Sequence, residues 1–185
     1  NALADWGADA IRVGIGGGSI CSTRLQTGHG IPTLQSVFDC AQSDRNAQII
    51  ADGGIKNSGD IVKALAAGAD FVMIGSLLAG TIEAPGTIIY GKDGNSYKTY
   101  RGMASQEAQI DWRGKTASVE GISTVLASKG PLARTMDKIT LGIRSGFSYT
   151  GARTIEELHA KAKFIRQTTA GRSESETHIL SRRGS

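Results

Sequence analysis

The sequence predicts an α/β protein built on a parallel sheet, and three features of the chain lead to this prediction. Short apolar runs that end in glycine lie at residues 10–16, 47–54 and 71–75, which is typical of buried parallel strands. Helical patterns lie between them, at residues 33–43 and 59–67. The strand–loop–helix unit recurs roughly every 25–30 residues, and such alternation forms parallel sheets with right-handed crossovers.

The length of the chain leaves two architectures open. A closed eight-stranded α/β barrel needs ~250 residues, whereas this chain has 185. The predicted strands therefore belong either to a smaller open sheet or to part of a barrel. In both folds, ligands bind beyond the C-terminal ends of the strands, where this sequence places glycines and polar residues.

A hairpin and a polar segment are predicted after the third strand. Residues 87–101 contain two strand-like runs around KDGN at residues 92–95, which is strong turn chemistry. Residues 103–129 are polar and show no clear hydrophobic period. We therefore predict that this segment is a mobile loop or flap.

The C-terminal part of the chain is predicted to be helical and then exposed. Helical patterns cover residues 131–145 and 154–163, and Thr154 with Glu157 predicts a capping box at the start of the second helix. Residues 168–185 are rich in Ser, Thr, Arg and Glu, which predicts an exposed tail.

The composition favours a protein that binds small anions. The net charge is +4 with scattered basic residues, so no nucleic-acid partner is predicted. No apolar run approaches the length that spans a membrane, so no membrane partner is predicted either. The two cysteines, Cys21 and Cys40, have neither disulfide-framework nor zinc spacing, which favours the reducing cytoplasm. Cys40 is predicted to be a small buried apolar side chain.

The loop at residues 14–24, GIGGGSICSTR, carries a candidate nucleophile. Cys21 lies at its tip, and Thr23 and Arg24 follow it. A thiolate near donors and positive charge is an activated nucleophile. The loop does not fit a dinucleotide-binding fingerprint, because no long helix opens directly after the glycines. A single cysteine in such a loop is also compatible with a structural role.

Two strand ends provide a candidate anion site. Asp52, Gly53 and Gly54 end the second predicted strand, and Gly75 with Ser76 ends the third. Glycine N–H groups and a serine hydroxyl at the start of a helix bind anions such as phosphate. The alternative is that both are ordinary turns. The recurrence in successive units favours a phosphate site.

Five motifs resemble those of the IMP dehydrogenase/GMP reductase family in order and spacing. They are GIGGGSICSTR at 14–24, IADGGI at 50–55, VMIGSLLA at 72–79, EAPG at 83–86 and YKTYRGM at 97–103. The resemblance extends from residue 2 to about residue 178.

The resemblance implies a TIM (β/α)8 barrel, of which this chain holds the C-terminal part. Residues 10–16, 48–54 and 71–75 would be strands 6–8 of that barrel. Residues 1–167 would then form the C-terminal portion of the catalytic barrel, with a hairpin and flap inserted at about 87–129, and residues 168–185 would form a polar tail. Such a chain would need the N-terminal half of the barrel to close the sheet.

The resemblance also implies three catalytic residues. Cys21 would attack C2 of a purine nucleotide and form a covalent intermediate. Thr23 would help to activate the leaving group or water. Glu120, in VEG at residues 119–121, would contact the base and, in the reductases, act together with the threonine.

Further residues match ligand contacts of the family. The implied phosphate contacts are Ser19, Gly54, Gly75, Ser76 and Tyr100, the ribose contact is Asp52, and the base contacts are Gly102 and Met103. The backbone carbonyls of Gly16, Gly18 and Cys21 correspond to ligands for a monovalent cation, usually potassium.

The segment before Glu120 favours one of the two family reactions. An IMP dehydrogenase, which uses NAD, must activate water, and in the family an Arg-Tyr pair on a long flap does so. Residues 103–120 are short and contain one arginine, Arg113, with no Arg-Tyr pair. This favours a GMP reductase, which uses NADPH and converts GMP to IMP and ammonia. EAPG at 83–86 and RGM at 101–103 favour the alternative, an IMP dehydrogenase.

An alternative function of another class is that of a non-catalytic nucleotide-binding fragment. We consider it because the N-terminal half of the barrel is absent from this chain. The combination of Cys21, Thr23 and Glu120 argues against it. The resemblance further implies a homotetramer that binds GMP or IMP.

Overall fold

The computed structural model describes residues 1–176 of the chain. The helices in this range are α1 (Ala2–Asp5), α2 (Thr23–Thr27), α3 (Thr33–Cys40), α4 (Ser58–Ala66), α5 (Ser76–Ala79), α6 (Gln106–Arg113), α7 (Leu132–Thr150), α8 (Ile155–Lys161) and α9 (Thr169–Glu174). The strands are β1 (Ala10–Val13), β2 (Gln48–Asp52), β3 (Phe71–Met73), β4 (Ile88–Tyr90), β5 (Ser96–Arg101) and β6 (Ser123–Ala127).

The parallel sheet is confirmed. Strands β1, β2 and β3 pair in that order, and both pairs are parallel. Each strand is shorter at its C-terminal end than the sequence predicted. After β1 and β2 the reason is a glycine with positive φ, Gly14 at +126° and Gly53 at +94°, which turns the chain out of the extended conformation.

The main core lies on one face of this sheet. Val13, Ile49 and Ala51 point from the sheet into it. Helices α3 and α4 pack against the sheet, and α7 and α8 pack on α4. The helices contribute Val37, Ile61, Ala64, Leu65, Ile139 and Leu158. On the other face Phe71 is 52% and Met73 38% exposed. The sheet is therefore covered on one side only within the described residues, whereas parallel sheets are normally covered on both.

Side-chain caps fix the starts of α4 and α8. Asn57 Oδ1 accepts a hydrogen bond from the Asp60 amide. Thr154 likewise caps the Glu157 amide. The Glu157 carboxylate, however, accepts from the Arg153 amide and not from that of Thr154, so the predicted capping box is displaced by one residue.

A second, antiparallel sheet contains the predicted hairpin. β4 and β5 pair around the turn as expected, and β6 pairs along the other edge of β5. The segment at 103–129, predicted to be a mobile loop or flap, contains helix α6 and strand β6. Neither has a strong apolar pattern: α6 buries only Ala108 and Gln109, and β6 is mostly exposed.

One further prediction is wrong, and one is refined. Cys40 is exposed, not buried, because it is the last residue of α3 and adjoins an exposed loop at residues 42–46. Residues 168–176 are largely exposed, as predicted for a tail, but Thr168 caps a short helix there, α9. The remaining tail residues, 177–185, lie outside the described range.

No helix within residues 1–176 is both long and apolar enough to span a bilayer.

Lys98 joins the second sheet to the loop that follows α5. Its side chain is 2% exposed, and Nζ donates to the carbonyls of Thr81 at 2.9 Å and Ile82 at 3.1 Å and to that of Ala84. Three acceptors match the three donors of an ammonium group. The lysine thus satisfies backbone carbonyls that would otherwise be buried without a partner.

Lys98→Met is expected to destabilise the protein by about 2–3 kcal/mol, because a buried acceptor without a donor costs about 1–3 kcal/mol. For a domain of this size we expect the melting temperature to fall by about 5–10 °C. Circular dichroism melts measure this effect. The control is Lys92→Met in the exposed hairpin turn, and equal melting temperatures for the two variants would contradict the role of Lys98.

Candidate active site

Cys21, Thr23 and Glu120 form a hydrogen-bonded chain. Cys21 Sγ lies 3.1 Å from Thr23 Oγ1, and the same hydroxyl donates to Glu120 Oε2. Cys21 is exposed, while Thr23 and Glu120 are half-buried. A nucleophile, a hydroxyl and a carboxylate in this order can form a covalent bond and move a proton to or from the bound group. The structure thus brings together the three predicted catalytic residues across 97 positions of sequence.

Close backbone packing holds the cysteine loop against β2. The Cys21 amide donates to the Gly18 carbonyl at 3.1 Å, which closes a turn at the tip of the loop. A Cβ on Gly53 would lie 2.8 Å from the carbonyl carbon of Gly17 and 2.9 Å from the Gly18 nitrogen. Only glycine therefore fits at position 53, where φ is also positive. This contact places the strand ends beside the nucleophile loop.

Two hydrogen bonds join the cysteine loop to the segment that carries Glu120. The buried Ser22 hydroxyl accepts from the Gly121 amide at 2.8 Å, and the Ile122 amide donates to the Ile20 carbonyl at 3.1 Å. Ser22 was not among the predicted site residues. Its only signal in the sequence was a hydroxyl beside the candidate nucleophile.

Gln109 of α6 holds the other side of the same segment. Its side chain is 4% exposed, and Nε2 donates to the carbonyls of Ala104 at 2.7 Å and Ser118 at 3.1 Å. Its Oε1 accepts from the Ala117 amide at 2.6 Å. Sequence reasoning missed Gln109, since nothing in a polar stretch marks one glutamine as buried. The backbone on the two sides of Glu120 is thus held by Ser22 and Gln109.

Gln109→Leu is expected to loosen this segment, because it removes three hydrogen bonds worth about 1 kcal/mol each. Local opening should become easier by about 2–3 kcal/mol, so amides at 116–121 should exchange roughly 30–150-fold faster. Hydrogen-exchange mass spectrometry measures the rates. The control is Gln42→Leu, since Gln42 is exposed and makes one long bond to Phe38. Unchanged amide exchange rates at residues 116–121 would show that Gln109 does not hold this segment in place.

A cavity of 990 Å³ contains several predicted substrate contacts. Gly75, Tyr100 and Met103 line it, and it lies between the end of β3 and the second sheet. The Tyr100 hydroxyl packs closely on Gly75, because a Cβ there would lie 2.9 Å from it. Gly102 faces Ile20, next to Cys21. The cavity has the size of a site for a nucleotide-sized molecule.

Asp52, the predicted ribose contact, is paired with Arg12. The Arg12 side chain donates to Asp52 Oδ2 through Nε at 3.2 Å and also through an Nη nitrogen. Both residues lie on the uncovered face of the sheet, on the neighbouring strands β1 and β2. Sequence reasoning missed Arg12, although alternation along paired parallel strands places it beside Asp52.

The other predicted phosphate contacts follow the strand ends. Gly54 lies beside the cysteine loop, since a Cβ there would be 3.9 Å from the Gly17 carbonyl oxygen. Ser76 opens α5, and Ser19 is exposed in the cysteine loop. No side-chain hydrogen bond joins Ser19 to Ser76 within residues 1–176.

The carbonyls of Gly16, Gly18 and Cys21 have the right chemistry for a monovalent cation, because backbone carbonyl oxygens can replace the hydration shell of potassium. The Gly18 carbonyl already accepts from the Cys21 amide, which leaves one of its two lone pairs. The donor set therefore fits such an ion. No cluster of His, Cys, Asp or Glu suitable for another metal occurs in the described part of the chain.

The chain belongs to the IMP dehydrogenase/GMP reductase family, since the model of the IMP dehydrogenase / GMP reductase domain matches residues 1–178. This confirms the resemblance found in the sequence motifs. Family members are oxidoreductases of purine metabolism.

Individual relatives carry both activities. The chain is 50% identical over 188 residues to the inosine-5'-monophosphate dehydrogenase of Aquifex aeolicus, covering 96% of this chain and 38% of that protein. It is 44% identical over 192 residues to the GMP reductase of Leishmania major, covering 97% of this chain and 39% of that protein. The chain thus spans less than two-fifths of these relatives.

A solved structure shares the fold. The crystal structure of a GMP reductase from Trypanosoma brucei in complex with guanosine 5'-monophosphate superimposes with a TM-score of 0.90 at 46% identity. The match covers 96% of this chain and 38% of that one.

Proposed function

We propose that this chain is the nucleophile-bearing part of a GMP reductase. The observation that carries the proposal is the hydrogen-bonded chain from Cys21 through Thr23 to Glu120. It supplies a nucleophile for C2 of the purine and a proton path to the group that leaves C2. The GMP-bound structural relative supports a purine nucleotide as the ligand. The 990 Å³ cavity is lined by three of the proposed contacts, Gly75, Tyr100 and Met103, and not by Cys21, Thr23 or Glu120.

The residues of the chain account for the loss of ammonia. Cys21 Sγ forms a bond to C2 of GMP, and the bond between C2 and the exocyclic nitrogen breaks. The proton of the Cys21 thiol passes through the Thr23 hydroxyl to the Glu120 carboxylate, and Glu120 returns it by the same path to the departing nitrogen, which leaves as ammonia. When C2 has received a hydride, its bond to sulfur breaks, IMP is released and the thiolate of Cys21 is restored.

The hydride would come from bound NADPH, which is the electron donor for this reaction. A potassium ion on the carbonyls of Gly16, Gly18 and Cys21 would fix the backbone of the cysteine loop. Asp52 would bind the ribose; Ser19, Gly54, Gly75, Ser76 and Tyr100 would bind the phosphate, and Gly102 and Met103 the base.

The second candidate is an IMP dehydrogenase, which the 50% identity to the Aquifex aeolicus enzyme favours. That reaction, with NAD, requires a group that activates water. The arginine between Met103 and Glu120, Arg113, ends α6, and its guanidinium stacks 4.3 Å above the Trp112 ring. No contact with Thr23 or Glu120 involves Arg113 within residues 1–176. The reductase is therefore the better proposal.

The uncovered face of the parallel sheet supports the placement of β1, β2 and β3 as strands 6–8 of a TIM barrel. Phe71 and Met73 on that face would become core residues of the closed barrel. The partner that closes it would be the N-terminal half. We further propose that the complete barrels assemble as a homotetramer in the cytoplasm.

Absorbance at 340 nm tests the reaction in protein that includes the N-terminal half. With GMP and NADPH we expect a GMP-dependent fall in absorbance, and with IMP and NAD no comparable rise. The reverse pattern would establish the dehydrogenase. No change in either cuvette, with nucleotide binding retained, would establish a non-catalytic binding protein.

A further inference from the structure

A second cavity, with a volume of 510 Å³, lies between the N-terminal parts of α4 and α7. We call it the basic cavity, because Lys56, Lys129, Arg134 and Lys138 line it together with Asn57, Ser58, Leu77, Thr135 and Ile139. No carboxylate lies among its lining residues. It shares no residue with the 990 Å³ cavity of the candidate active site.

The charges of the basic cavity are not neutralised within the protein. Among the ion pairs of residues 1–176, none involves any of its four basic side chains. Asp60, the nearest acid along the chain on α4, is engaged by the Lys63 ammonium at 2.9 Å and by the Lys56 amide. Four positive charges around one cavity repel each other unless an anion lies between them.

Lys129 is fixed in place at the wall of the basic cavity. Its Nζ donates to the carbonyls of Ser76 and Leu77, each at 2.9 Å. Burial lowers its pKa from the usual value. A partly desolvated ammonium without a carboxylate partner gains most from an anionic ligand, because charge-assisted hydrogen bonds are the strong ones.

Hydroxyls and helix termini complete the set of donors. Ser58 begins α4, and Thr135 lies in the first turn of α7. The N-terminal parts of both helices line the basic cavity, which favours anions near the first turn, although the Glu83 carboxylate accepts from the Leu132 amide at the start of α7 and Asn57 caps α4. The donors come from three separate segments.

We propose that the basic cavity binds a phosphate-bearing anion, of the kind common to inorganic pyrophosphate and the polyphosphate chain of a nucleotide. Arg134 provides a planar fork for two phosphate oxygens, and the lysines provide point charges. The site is separate from the proposed substrate phosphate contacts, because none of Ser19, Gly54, Gly75, Ser76 and Tyr100 lines it.

Calorimetric titration of the full protein with inorganic pyrophosphate tests the site. Parallel titrations with and without saturating GMP separate it from the active site. The test variant is Arg134→Glu with Lys138→Glu, both exposed on α7. The matched control is Lys163→Glu with Arg166→Glu, which changes the net charge equally on another exposed segment.

The test pair should weaken pyrophosphate binding by roughly tenfold or more, and the control pair by less than about threefold. A further titration with ATP distinguishes the sources: tighter binding than pyrophosphate assigns the site to a nucleotide, and equal or weaker binding to an inorganic polyphosphate. The proposal is overturned if pyrophosphate does not bind to the wild type. It is also overturned if the test pair and the control pair weaken pyrophosphate binding equally. These titrations measure binding and not turnover. Their results therefore test the basic cavity even if the protein is not a reductase.

Discussion

Cys21→Ala is expected to lower the rate of GMP-dependent NADPH oxidation by roughly 10⁴-fold or more, the scale seen when a covalent nucleophile is removed. The sulfur has no substitute nearby, since Cys40 ends α3 and takes no part in the hydrogen-bonded chain. Binding of GMP should persist, because the proposed phosphate and ribose contacts do not use the thiol. Steady-state absorbance and equilibrium titration with GMP measure the two effects separately.

Cys40→Ala is the matched control, because Cys21 and Cys40 are both exposed and free. It should retain wild-type activity. Alkylation by iodoacetamide gives an independent readout by mass spectrometry: GMP should protect Cys21 and leave Cys40 reactive. Wild-type activity in Cys21→Ala would remove the covalent mechanism, whatever the protection pattern.

The parallel sheet could be predicted because each strand is a short apolar run that ends in glycine. Buried parallel strands need apolar side chains on both faces, so the signal is local and strong. The glycines at positions 14 and 53 marked the turns, although their positive φ ends the strands earlier than the apolar pattern does.

The segment at 103–129 could not be predicted because its order comes from distant partners. Strand β6 is exposed along most of its length and is defined by pairing with β5. Helix α6 is held by the Ser105 cap, and it is followed by Gly114 in the left-handed conformation. A hydrophobic pattern is absent from both, and periodicity is the main signal that sequence provides.

The candidate site was predictable to different degrees. Cys21 and Thr23 are two residues apart, so their contact follows from the local loop. Glu120 was found only through the family resemblance, since it lies 97 positions from Thr23. Ser22 and Gln109 were missed because their hydrogen bonds go to backbone groups that acquire their positions only in the folded chain.

Glu120→Gln is expected to slow the proposed release of ammonia by about 10²–10⁴-fold, the usual contribution of a general acid or base. The amide oxygen of glutamine can still accept from Thr23 Oγ1, so the substitution removes the proton carrier and preserves the contact. The apparent KM for GMP should stay within about threefold, because a loss confined to the chemical step lowers kcat.

Asp93→Asn is the matched control, because it also replaces a carboxylate that accepts a hydrogen bond from a side-chain hydroxyl. Asp93 accepts from the Tyr97 hydroxyl at 2.6 Å in the exposed hairpin turn. That hydrogen bond, with those from Asn95, lowers the pKa of Asp93 to about 2, so it is charged at neutral pH. This variant should keep the wild-type kcat. An equal fall in kcat in Glu120→Gln and Asp93→Asn would mean that Glu120 affects the rate only through the fold or the net charge of the protein.

A double-mutant cycle decides whether Thr23 and Glu120 act as one proton path. Thr23→Val keeps the shape of the side chain and removes the hydroxyl that joins Cys21 to Glu120. If the proton passes through that hydroxyl, the combined variant should be no slower than the slower single variant, because either change interrupts the same path. Additive losses in kcat would show two independent contributions and exclude the relay. Single-turnover rates of ammonia release, measured across pH 6–9, give the four values that the cycle needs.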